Sequence, residues 1–90
     1  MIPLTKKQKE VVEMMKKTGG KISESVDSRH GQSSRIKREV LYRDGDVYTV
    51  VMSVHKRTFE ALIEKGAIQY MPEMWEDRDG WMRGWWRLAE

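Results

Sequence analysis

The chain has 90 residues, a single-domain length at which folding buries only about 60–65% of the surface the unfolded chain exposes. With 39% hydrophobic and 34% charged residues it is too apolar for a disordered segment, and without cysteine it has neither disulfides nor thiolate metal sites. No apolar run approaches the ~20 residues of a membrane span, and none follows the first residues as in a secretory signal, so the expectation is a cytoplasmic protein with no membrane partner.

The net charge of +3 is unevenly spread. Residues 1–45 hold eleven Lys/Arg against six Asp/Glu, a balance of +5, whereas residues 46–90 hold six against eight, a balance of −2. A basic half invites a polyanion and an acidic half resists one; the plain alternative is a solvated surface with chance asymmetry.

The stretch 4–20, LTKKQKEVVEMMKKTGG, predicts a helix with both ends marked. Thr5 caps it, Gln8 completes the reciprocal S/T-x-x-E/Q box, and Gly19 supplies the left-handed residue that ends it. Leu4, Val11, Val12, Met14 and Met15 form the apolar stripe, with Lys6, Lys7, Lys9, Lys16 and Lys17 largely outside it. Residues 21–26 then predict a short strand with Ile22 and Val26 on one face. A polar Ser/Gly-rich connection follows at 27–34, and Arg29, His30, Arg35, Lys37 and Arg38 make this the most basic part of the chain. Phosphate contact and a solvated loop explain that cluster equally well.

Residues 36–54 predict a β-hairpin about Asp44-Gly45. A three-residue loop, Arg43-Asp44-Gly45, with Gly45 left-handed in a bulge, best unites the apolar side chains. It places Ile36, Val40, Tyr42, Tyr48, Val50, Met52 and Val54 on one face, and Lys37, Glu39, Thr49 and Ser53 on the other. A second helix comes next, capped by His55 and stapled by Val54 and Phe59. Phe59, Leu62 and Ile63 face inward, and Gly66 ends the helix with Leu62 meeting Ala67 across it.

Residues 68–88 predict a second hairpin about Asp79-Gly80, with Pro72 favouring an edge strand. Alternation puts Ile68, Tyr70, Met74, Met82, Gly84, Trp86 and Leu88 on the core face. Trp75, Trp81, Arg83, Trp85 and Arg87 share the other. Such a Trp–Arg ladder is either cross-strand packing of indoles against arginine stems or a recognition surface for a protein or for unpaired bases.

The run Val54-His55-Lys56-Arg57-Thr58-Phe59-Glu60-Ala61-Leu62-Ile63-Glu64-Lys65-Gly66-Ala67-Ile68, leading into a hairpin, resembles the C-terminal part of winged helix–turn–helix domains. Leu62, Gly66 and Ile68 approximate the Leu-x-x-x-Gly-Leu/Ile pattern that ends their recognition helix, with Ala67 inserted. Leu4-Thr5-x-x-Gln8 to Met15 resembles the first helix of small members from phages and other mobile elements. The resemblance implies an α+β, winged-helix-like single domain over 1–90: two helices packed with two β-hairpins and a short extra strand. It implies double-stranded DNA as the partner and a transcriptional regulator as the function. His55, Lys56, Arg57 and Glu60 would face a major groove, and Arg78 would stand at the wing tip. Arg29, Arg35, Lys37, Arg38, Lys6 and Lys7 are the candidate backbone contacts. Where the family has a short helix before the recognition helix, this chain has the hairpin 36–54.

The rival expectation is a protein-binding module or inhibitor of mobile-element type, or a homodimer, acting through Trp75, Trp81, Arg83, Trp85 and Arg87. Catalysis finds little footing. His30 and His55 stand apart, Ser33 and Ser34 have no evident orienting acid, and the paired aspartates flank tight turns. The expectation is a non-enzyme with no cofactor and no metal.

Overall fold

The computed structural model describes residues 3–27, 36–45, 47–78 and 81–89. In chain order these form helix α1 (Lys6–Thr18), strands β1 (Lys21–Asp27), β2 (Ile36–Asp44) and β3 (Val47–Ser53), and helix α2 (Lys56–Glu64). Strand β4 (Ile68–Tyr70), a single 3₁₀ turn (Pro72–Met74), β5 (Glu76–Arg78) and β6 (Trp81–Leu88) complete the chain. The expected parts, two helices, two hairpins and an extra strand, are all present in an α+β fold. The extra strand does more than expected. As β1 it lies in the middle of one antiparallel sheet, order β3-β2-β1-β6-β4 with β5 also on β6, and joins the two hairpins.

Both helices lie on the same side of this sheet. Val11, Val12 and Met15 of α1 and Phe59 and Leu62 of α2 meet Ile22, Val40, Val54 and Ile68 in one core. Their ends are closed as the sequence predicts. At the start of α1 the Gln8 N–H donates to Thr5 Oγ1 (3.4 Å) and the Thr5 N–H donates to Gln8 Oε1 (3.1 Å), and Gly19 ends the helix at φ 68°. At the end of α2 the Gly66 N–H donates to the Ile63 carbonyl (3.0 Å) and the Ala67 N–H to that of Leu62 (2.9 Å), with Gly66 at φ 69°. That is the paired pattern of a Schellman ending. Ile63 is exposed, so α2 rests on Phe59 and Leu62 alone. Among the described residues no helix is long and apolar enough to cross a membrane.

The register of both hairpins differs from expectation. Asp44 pairs with Val47, so the first turn is the two residues Gly45-Asp46; Gly45 is left-handed (φ 62°), and Asp46 lies outside the described residues. The bulge sits inside the ladder instead, where Leu41 pairs with Val50 but Val40 pairs with Met52. The cause is the apolar run Val50-Val51-Met52, which cannot alternate; one extra residue lets the strand change which side chains it turns to the core. Val40, Met52 and Val54 therefore face the helices, while Leu41, Tyr48 and Val50 lie on the helix-free side.

In the second hairpin Arg78 pairs with Trp81 and Glu76 with Arg83, whereas Ile68 pairs with Leu88 and Tyr70 with Trp86. The first segment is thus two three-residue strands against one long partner, and the 3₁₀ turn begun by Pro72 takes up the difference. Pro72 does mark an edge, by breaking it. Ile68, Tyr70, Trp86 and Leu88 share the core side as expected. Met74 does not: it lines a small cavity of about 130 Å³ with Leu41, Tyr48 and Trp85 on the helix-free side.

Candidate functional site

Alternation along β6 separates Trp85 from Trp86, and each finds its own packing. Trp86 stands over the helix side, edge-on to Phe59 (5.2 Å between centroids) and tilted against Tyr70 (5.2 Å). Trp85, on the other side, is only 3% exposed. Across the sheet it faces Ser23, and that serine and Ser25 are both buried: small side chains in β1 leave room for the indole. Tyr48 closes over it at 5.5 Å, and the Arg83 guanidinium lies 5.6 Å from the Trp85 ring and 5.7 Å from Tyr48. The Trp–Arg ladder at Trp85 is therefore internal packing, and the expectation that Trp85 offers itself to a partner is corrected. Its burial follows from the serines opposite and the displaced Tyr48.

The other ladder members fare differently. Arg83 and Arg87 are half-buried, and Arg87 Nη2 donates to Gln69 Oε1 across the β4–β6 pair (3.2 Å). Trp75 does not lie opposite Arg83, a place taken by Glu76. The 3₁₀ turn swings it to the helix side, where it is 51% exposed beside Tyr70 and Trp86. The side chains of Trp81 and Arg78 lie outside the described residues.

The basic candidates also divide. His55 caps α2, its Nδ1 accepting from the Arg57 N–H (3.2 Å), and leaves Lys56 and Arg57 exposed on the first turn. Lys56 Nζ comes within 4.0 Å of Glu60 Oε1 with both side chains largely in solvent, a pair of small energetic weight. Lys6 and Lys7 occupy the first turn of α1, also exposed. Neither first turn contains an acid. Lys65 Nζ donates to Gln8 Oε1 (2.6 Å) and the Pro3 carbonyl (3.0 Å), so the end of α2 is clasped to the start of α1. Nine helical residues span roughly 14 Å, which sets the order of the distance between the two cationic starts. Further along α1, Lys9, Lys16 and Lys17 join Lys6 around an open trough of about 950 Å³ that Glu10, Glu13, Met14 and Met52 also line.

Arg38 is not part of this surface. Its Nη2 lies 3.3 Å from Glu24 Oε2 and its guanidinium carbon 5.1 Å from the Phe59 ring centre, beneath α2. It is a structural cation, and the expectation that it holds a DNA backbone is corrected: two residues before Val40 in β2, Arg38 shares its core side, opposite Glu24 of β1. Lys37, its neighbour, is exposed on the helix-free side, away from both helices. Arg29 and Arg35 lie outside the described residues.

Neither a protein-family model, nor a curated protein, nor a solved structure matches the chain.

Proposed function

We propose that the protein binds double-stranded DNA through its helix layer, as a small regulator of the winged-helix kind its sequence resembles. One observation carries the reading. Both helices begin with two cations and no acid, Lys6 and Lys7 in α1 and Lys56 and Arg57 in α2, where the helix dipole favours anions. Each such cation costs a few tenths of a kcal/mol in the free protein, and an approaching phosphate relieves the strain while gaining the helix N–H groups. The clasp between Lys65 and the start of α1 joins the end of α2 to that point, so the start of α2 stands about one length of that helix away; both cationic starts are taken as one surface, with Lys9, Lys16 and Lys17 extending it.

In this reading Lys56 and Arg57 reach phosphates or groove edges, His55 shapes the turn that presents them, and Lys6 and Lys7 hold the backbone. Arg29 and Arg35 join the proposal on sequence alone; Lys37 and Arg38 leave it. The acids Glu60 and Glu64 on α2 limit how much of that helix enters a groove. A protein partner is the second reading, favoured by the exposure of Trp75 alone.

Fluorescence anisotropy of a labelled mixed-sequence duplex tests the first reading. If the four cations of the helix starts each neutralise a phosphate, log Kobs falls against log salt with a slope of roughly −3.6. The double variant Lys56→Ala/Arg57→Ala should flatten that slope by about two. An unchanged slope in the variant overturns the assignment.

A further inference from the structure

The helices do not cover their side of the sheet evenly. Beyond α2, where β5 and the start of β6 meet the end of β1, a cleft of about 340 Å³ remains open, at the small end of ligand-pocket sizes. Three aromatic side chains line it: Trp86, Tyr70 and Trp75. The Tyr70 and Trp86 rings are tilted by 53°, forming a corner, and Trp75 stands half in solvent at the mouth. Tyr70 is seated on Gly84, where a Cβ would come within 3.1 Å of its ring, so a side chain at that position would push the ring out of place. Val26 and Met82 complete an apolar floor.

Among the described residues, the charged side chain that lines this cleft is a carboxylate. Glu24 lines it, and Asp77 stands across the ladder from Met82, on the same side of the sheet and exposed. Arg38, beneath α2 against Phe59, is paired with Glu24 at 3.3 Å, so the carboxylate left without that counter-charge is Asp77. A corner of aromatic faces with the Asp77 carboxylate at its border disfavours anions and gives a neutral apolar ligand no electrostatic advantage. It suits a bulky cation with a weakly held hydration shell, whose methyl groups pack on the rings while its charge meets their negative faces. An unmodified ammonium is too strongly hydrated to enter on the same terms.

We propose that this cleft binds a methylated ammonium group, carried either by a small choline-like molecule or by a trimethylated lysine side chain. Trp75, Tyr70 and Trp86 form the cage, and Asp77 supplies the field. None of the helix-start cations of the proposed DNA surface lines this cleft, so the two proposals stand on separate residues.

The test uses the full chain and follows the Trp75 indole N–H by NMR at constant ionic strength. The probes are choline, a short trimethyllysine peptide, and 3,3-dimethylbutanol, the neutral isostere of choline. Saturable shifts with either cation, at roughly ten-fold or greater preference over the neutral alcohol, support the site. Response to the peptide alone assigns the side-chain source, and response to choline alone the small molecule. Asp77→Asn should weaken binding several-fold, and Trp75→Ala, which removes an exposed ring, should abolish it in a folded protein, followed through the Trp86 indole. The proposal is overturned if neither cation gives a saturable shift, or if the alcohol binds as tightly as choline.

Discussion

On the α1 side of the sheet Lys6, Lys9, Lys16 and Lys17 outnumber Glu10 and Glu13 around an open trough; on the β4–β5 side the molecule ends in Glu73, Glu76, Asp77 and the exposed indole of Trp75. A net charge of +3 conceals two unlike regions. The strand order explains how they stay apart. Strands β1, β2 and β3 occupy one half of the sheet and β4, β5 and β6 the other, and the two halves of the sheet are joined where β1 pairs with β6. The acids of 73–77 are thus held on the β4–β5 half of the sheet. In the proposed DNA reading, this difference orients the polyanion before any contact is made.

The two sides also differ at their edges. Strand β3 is a seven-residue edge without a charge or a proline, VYTVVMS, and exposes Val47 and Val50. Its protection against pairing with other chains is the bulge. The opposite edge is cut by Pro72 into two short strands.

The sharpest contrast lies within the tryptophans. Trp85→Ala should lose about 3–5 kcal/mol in urea unfolding, because it empties the space between Ser23, Tyr48 and Arg83, whereas Trp75→Ala should change stability by less than about 0.5 kcal/mol. Equal losses would mean that the two indoles are not divided between packing and surface as described. Trp85→Phe should be far milder than Trp85→Ala, since the buried Trp85 Nε1 has no hydrogen-bond partner to lose.

Next in size is Arg38→Ala. Removing a cation that contacts both Glu24 and Phe59 should cost on the order of 1–3 kcal/mol, discounted for the partial exposure of Glu24. Its DNA salt slope should match the parent's. A slope flattened by a full unit would return Arg38 to the binding surface.

A smaller effect separates the two faces of the sheet. Lys6→Ala/Lys7→Ala should flatten the salt slope by about two units while raising helix stability slightly, because unfavourable charge leaves the start of α1. Lys37→Ala, on the helix-free side, should leave the slope unchanged. If Lys37 matters and the helix lysines do not, the polyanion lies on the wrong face of this account.

Much of the fold was legible from local chemistry. Thr5 with Gln8, Gly19, His55 and Gly66 each announce a helix end through a backbone group that needs a partner, and all four hold. Registers were harder, because they depend on which of several apolar residues the helices select. The run Val50-Val51-Met52 permits two registers until a core chooses, and the five residues 71–75 leave the strand and exchange its faces, so that Tyr70 pairs with Trp86 on the helix side and Glu76 with Arg83 on the other. The candidate site was legible where exposure follows from helix geometry, as at Lys6, Lys7, Lys56 and Arg57. It was illegible at Trp85 and Arg38. A sheet with helices on one side reads as having one buried face, but Ser23 and Ser25, both small, signal that something large lies on the other. That Ser-x-Ser spacing in β1 was the available cue for Trp85.

Titration of a labelled duplex at low and at moderate salt, with the parent and the Lys56→Ala/Arg57→Ala variant side by side, addresses the central claim most directly. The account predicts binding that weakens steeply with salt in the parent, and a slope shallower by about two in the variant. Absence of binding by the parent at low salt, or identical slopes for the two proteins, would contradict it.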